Sequence, residues 1–152
     1  MHLAHYLGLL HRAQDTLAEA FRQVASDHAD EADIVYLCRQ QAQRCQERAG
    51  RLGPFADRYA EDAPDEPERL HSELFRGTRT GGLGLLRDLQ DLYLMTAECD
   101  ICWTLVGQAA QGLRDTELAA TVQEGAAETT VQLAWLRTRM KQAAPQALIV
   151  AD

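Results

Sequence analysis

Leu3, Leu7, Leu10, Gln14, Leu17, Phe21 and Val24 follow one another at alternating steps of four and three residues. That spacing keeps all seven on one stripe of an α-helix, whereas a strand, with its period of two, would scatter them over both faces. A stripe of this kind is the seam of a helix packed lengthwise against other helices. It predicts a first helix from about His2 to Ala25. One member breaks the apolar rule: Gln14 sits in the middle.

The rest of the chain repeats the pattern. Ser26 to Glu31 reads as a short polar connection with Asp30 as N-cap. A second stripe holds Ile34, Leu37, Cys38, Gln41, Ala42, Cys45, Ala49 and Leu52, and Gly53 with Pro54 is expected to close that helix. The third helix is predicted from Leu83, capped by Thr80, to about Gly112. Its inward residues are Leu85, Leu89, Leu92, Thr96, Cys99, Asp100, Trp103, Val106 and Ala110. After a break at Arg114 and Asp115, with Asp115 as N-cap, a fourth seam follows Leu118, Val122, Gly125, Thr129, Gln132, Leu136 and Met140. Pro145 marks its stop, and Gln146 to Asp152 form a tail with an apolar Ala147-Leu148-Ile149-Val150 core.

Between the second and third helices lies a different kind of sequence. Gly53 to Gly82, about thirty residues, is long for a connection inside one compact domain. Pro54, Pro64 and Pro67 punctuate it, Pro67 is read as opening a short helix through Phe75, and Arg76 to Gly84 is rich in glycine. Two helical hairpins joined by one long crossover require the second and third helices to run parallel. The chain is therefore predicted to be a single all-α domain, residues 1–152, built as an antiparallel four-helix bundle with a long crossover between helices 2 and 3. That is the connectivity of ferritin-like folds.

Charge and cysteine usage narrow the partners. Asp and Glu total 23 against 15 Lys and Arg, a net charge of −8. Such a field disfavours nucleic acid and anionic membranes as partners. No apolar run reaches the length of a membrane-spanning helix, and no leader pattern is recognisable at the start. The cysteines, Cys38, Cys45, Cys99 and Cys102, fall inside helical patterns, so they read as reduced thiols of a cytoplasmic protein. Cys99-Asp100-Ile101-Cys102 has C-x-x-C spacing but lies within a helix, away from the N-terminal turn that would activate a redox thiol.

The predicted midpoints of the helices put polar residues at one level. Gln14, Gln41, Asp100, Glu128, Thr129 and Gln132 lie on or beside the inward stripes. Unpaired buried amides and carboxylates cost about 1–3 kcal/mol each. These residues must therefore satisfy one another, a water or an ion. With this layer in view, the chain resembles the ferritin-like superfamily. Glu128-Thr129-Thr130-Val131-Gln132 is similar to the mid-helix Glu-Thr-x-x-Gln of YciF-like stress-associated bundles. Leu86-Arg87-Asp88-Leu89-Gln90-Asp91-Leu92-Tyr93, Trp103 to Gln108 and Trp135 to Lys141 resemble uncharacterised bacterial ferritin-like proteins.

The resemblance implies a fold and, in the family's metal-binding members, a di-metal layer of Glu and Glu-x-x-His. The ligands depart from that pattern. Gln14 and Gln41 stand where carboxylates belong, Arg44 follows Gln41 by three, and Val131 follows Glu128 by three. The expected layer is accordingly degenerate and free of cofactor. The alternative is a divalent ion (iron, manganese or zinc) held by Asp100, Glu128 and His11. A further alternative gathers Cys38, Cys45 and Cys99 into a thiol cluster for a soft metal or for redox sensing. Arg39, Arg44, Arg48 and Arg51 read as a solvated face or a subunit interface, and the histidines as mostly solvent-facing. No nucleophile–base pair is in sight, so the expectation is a non-catalytic structural or interaction protein, self-associated as a dimer or larger, with a stress-related role.

Overall fold

The computed structural model describes residues 1–62, 65 and 75–150, and among them there are four long helices and no strand. Helix α1 spans Leu3–Asp27, α2 Ala32–Tyr59, α3 Gly81–Gly112 and α4 Thr116–Pro145. The short helix expected to begin at Pro67 falls largely outside the described residues. Helix α1 packs chiefly on α2 and α3 chiefly on α4, with further packing of α1 on α3 and α2 on α4.

The core is the set of seams. Every member of the first stripe is buried, Gln14 included. On α3 the same holds for Leu85, Leu89, Leu92, Thr96, Cys99, Trp103, Val106 and Ala110, and on α4 for Leu118, Val122, Gly125, Thr129, Gln132 and Leu136. The 4-3 spacing of α2 differs from the expected one in a telling way. It runs Ile34, Cys38, Gln41, Cys45, Arg48, Leu52 and Phe55, all buried, and so passes through an arginine.

Helix α2 also continues beyond Gly53 and Pro54, up to Tyr59. A proline inside a helix forfeits one backbone hydrogen bond and crowds the carbonyl four residues back, here that of Gly50. Both Gly50 and Pro54 are exposed, so water can take the freed carbonyl. The extra turn then buries Phe55 and brings Arg58 and Tyr59 to Asp115. Asp115 caps α4, accepting from the Leu118 amide at 3.1 Å, while Arg58 and the Tyr59 hydroxyl donate to it at 2.8 and 2.5 Å. The Tyr59 hydroxyl, helped by the Leu118 amide and Arg58 and opposed by burial, holds this carboxyl below its usual range.

Other ends differ from expectation in smaller ways. Glu31, not Asp30, precedes α2, and together with Asp33 it pairs with Arg139 near the end of α4, at 3.2 and 2.7 Å. Thr80 does precede α3 but makes no side-chain cap. Past Pro145 the chain does not leave the helix path. Gln146–Val150 wind into a π-helical turn that packs on α3 and α4 and buries Ala147.

Candidate functional site

Arg48 is 1% exposed and sits in the middle of the bundle, not on the solvated face or subunit interface expected of it. Its guanidinium is the hub of the polar layer. Nε donates to Gln14 Oε1 at 3.2 Å and Nη1 to Glu128 Oε2 at 2.9 Å. Nη2 donates to Cys45 Sγ at 3.3 Å and to Gln132 Oε1 at 3.4 Å. Gln132 turns its amide nitrogen to Gln41 Oε1 at 3.0 Å, so the chain of bonds runs from α1 through α2 to α4 and back to α2. Arg51 closes the outer side, meeting Glu128 at 3.5 Å and Glu124 at 3.0 Å. Two cations thus face two carboxylates across the α2–α4 seam.

Of the residues predicted to share this layer, Gln14, Gln41, Glu128 and Gln132 are brought together. Thr129 is buried, but its hydroxyl donates to the Gly125 carbonyl of its own helix at 2.7 Å. Asp100 is half-buried and takes no part in the network. It lies one position past the seam residue Cys99, which turns its side chain outward; Cys99 and Trp103 are the inward residues here. His11 pairs with Asp15 one turn along α1 at 3.5 Å, largely in solvent. Asp100, Glu128 and His11 therefore do not converge. Among the described residues no three His, Cys, Asp or Glu side chains form a group that would hold a metal ion, and that includes Cys38, Cys45 and Cys99.

Two donors in the interior lack partners among the described residues: Gln14 Nε2 and Trp103 Nε1. Trp103 lies flat against α4, where Gly125 makes room for its ring.

All four thiols are free and buried. Burial pushes Cys38 up to about 12 and Cys102 up to about 11 from the ordinary value of 9.0. It also raises Cys45 and Cys99, with Cys45 itself adding to the rise at Cys99. A thiol whose folded pKa is raised is protonated in both states below about pH 9 and so costs nothing there. Above that pH the unfolded chain ionises first and stability is lost until the folded pKa is reached. Each such thiol contributes up to about 1.4 kcal/mol per pH unit. The urea midpoint, measured with reductant present, is therefore expected to fall steeply between pH 8.5 and 10.5 relative to pH 7–8.5, and Cys38→Ala to make that fall shallower. An unchanged midpoint across the range would contradict the burial of these groups.

A second polar cluster, absent from the expected layer, lies at the end of α1. His28 is buried, against the expectation of solvent-facing histidines, and its Nε2 lies 2.7 Å from Asp88 of α3. Asp88 also accepts from the Arg79 backbone amide at 3.0 and 3.2 Å and from the Arg79 guanidinium at 2.9 Å. The same guanidinium reaches Asp91 at 2.8 Å. The glycine-rich stretch is what permits this. Gly81 takes φ +77°, and at Gly84 a side chain would come within 2.9 Å of the Arg79 backbone. The segment folds back onto α3 through Arg79, which meets Asp88 and Asp91. No hydroxyl or thiol hydrogen-bonds His28 among the described residues.

No protein-family model, curated protein or solved structure matches this chain.

Proposed function

We propose that this protein is a non-catalytic helical bundle of ferritin-like connectivity, in which Arg48 occupies the interior place that metal ions hold in metal-binding bundles of this kind. On this reading it serves as a structural or interaction module, self-associated, in a reducing compartment such as the cytoplasm. The observation that carries the reading is the position of the Arg48 guanidinium, bonded at once to Gln14, Glu128, Cys45 and Gln132. A divalent ion at that point would meet a fixed positive charge and mostly neutral amides, with Glu128 already neutralised by two arginines. Hard cations need several uncommitted carboxylates.

The connectivity is supported by which helix ends meet. His28 at the end of α1 meets Asp88 near the start of α3, and Arg58 at the end of α2 meets Asp115 at the start of α4. Arg139 near the end of α4 reaches Asp33 at the start of α2. Helices 2 and 3 that run parallel, joined by one long crossover, account for all three pairings.

The test is metal content. Protein purified without oxygen, and then offered iron, manganese or zinc, is expected to retain far less than one ion per chain. Its melting temperature is expected to stay the same with and without chelator. One or two ions per chain, lost to chelator together with several degrees of melting temperature, would overturn the reading.

A further inference from the structure

The stretch that leads into α3 is tied to the bundle almost wholly by charge. Gly77, at φ +111°, and Gly81, at φ +77°, bracket Thr78, Arg79 and Thr80. None of these three adds a side chain to the apolar core, whereas Phe75, just before them, packs against it. Among the described residues, 75–80 make no backbone–backbone hydrogen bond to the bundle. The hydrogen bonds that hold the stretch down, among the same residues, all run to carboxylates. Thr78 Oγ1 donates to Asp27. The Arg79 amide donates to both oxygens of Asp88, at 3.0 and 3.2 Å, and the Arg79 guanidinium meets Asp88 at 2.9 Å and Asp91 at 2.8 Å.

We propose that Gly77–Gly81 is a strap that opens and recloses as a unit, hinged at its two glycines and latched by Asp88, while the four helices stay folded. A segment with few buried apolar contacts and partly exposed hydrogen bonds opens far more often than the core around it. Here Arg76, Arg79 and Thr80 are exposed, and Gly77 and Thr78 half-buried. The hinges are the two positions where the backbone takes left-handed values, which glycine alone adopts freely. Gly84 is the seat. A Cβ there would lie 2.9 Å from the Arg79 carbonyl carbon and 3.0 Å from the Arg79 Cβ, so the strap lies flat because α3 has no side chain at that point. The latch works in one direction. Asp88 is fully buried, and a buried carboxylate stripped of donors is costly, which keeps the strap closed at rest. Opening takes away the Arg79 amide and guanidinium together and leaves Asp88 with His28 of α1. The open state thus presents to solvent a carboxylate–imidazole pair that the closed state buries.

Native-state hydrogen exchange on the full chain tests this, with the Arg79 amide as the reporter of the strap and the Leu92 amide, in the core of α3, as the reporter of global unfolding. In the wild type the Arg79 amide is expected to be protected, yet to exchange at least a hundredfold faster than Leu92 relative to an unfolded chain. Low concentrations of urea should speed Leu92 and leave Arg79 nearly unchanged, because a local opening exposes little surface. Two variants unlatch the strap by different routes. Asp88→Asn removes the charge and turns an amide towards the Arg79 donors, and is expected to speed exchange at Arg79 about a hundredfold. Gly84→Ala alters no charge but fills the seat, and is expected to speed it about tenfold with Leu92 no faster than before. Gly82→Ala, where a Cβ meets nothing within 4 Å, is the control and should leave Arg79 unchanged. Exchange at Arg79 that matches Leu92 in rate and in urea dependence would overturn the proposal, since the stretch would then open only when the protein unfolds. An Arg79 amide with no protection, or one indifferent to both Asp88→Asn and Gly84→Ala, would overturn it as well.

Discussion

Arg48→Met is expected to lower the free energy of unfolding by about 3 kcal/mol, read from the urea midpoint at neutral pH. Methionine keeps much of the side-chain volume, so the loss reports the polar network more than a cavity. Its parts are unequal. Glu128 is 34% exposed and keeps Arg51, so it can fall back on solvent and its second partner. Gln132 keeps Gln41. Gln14 is worst placed, because its Oε1 depends on Arg48 and its Nε2 already lacks a partner. The whole amide is then stranded in the core, and an unsatisfied buried group costs about 1–3 kcal/mol.

That inequality makes a sharper experiment than the single variant. If both partners are replaced by apolar groups, the penalty of a stranded amide disappears, so Arg48→Met combined with Gln14→Leu is expected to recover at least half of the loss. Arg48→Lys is expected to rescue little, since a compact ammonium cannot span Gln14, Glu128 and Gln132 as a planar fork does. A loss below about 1 kcal/mol in Arg48→Met, with no coupling to Gln14, would show that the guanidinium does not hold the layer.

The layer also shows how far the sequence could be read. Gln14, Gln41 and Gln132 were legible because a polar residue on a seam must be buried, and periodicity alone locates the seam. Arg48 obeys the same arithmetic: the steps from Gln41 to Cys45, Arg48, Leu52 and Phe55 alternate four and three. A solvated face or subunit interface is the expectation for it, since arginines rarely enter a core and the expected helix closes at Gly53 and Pro54. With the helix one turn longer, Phe55 extends the seam and Arg48 falls inside it. Asp100 failed in the opposite sense. It neighbours a seam residue without being one, and one step along a helix is a rotation of about 100°. His28 and Asp88 were hidden for another reason: their pairing depends on which helix ends meet, and a local pattern does not specify that.

Gly125→Ala is expected to destabilise the protein by about 2 kcal/mol, although alanine is the better helix former by about 1 kcal/mol. A Cβ at this position would lie 2.5 Å from Trp103 Cζ2 and 2.6 Å from Cη2. Those atoms belong to a rigid ring that is 1% exposed, so neither rotation nor retreat into solvent relieves the clash. Helices α3 and α4 must separate locally, and Glu128 and Thr129, less than a turn and a turn further on, move with α4. The same substitution at Gly50 supplies the control. It lies mid-helix on α2 with nothing within 4 Å of a built Cβ. Gly50→Ala is therefore expected to raise stability by about 0.5–1 kcal/mol. Opposite signs for one chemical change at two helical glycines would isolate the Trp103 contact. Trp103→Phe in the Gly125→Ala background should then recover part of the loss, since the smaller ring vacates the space nearest α4. Equal effects at Gly50 and Gly125 would mean that the two helices do not meet at this glycine.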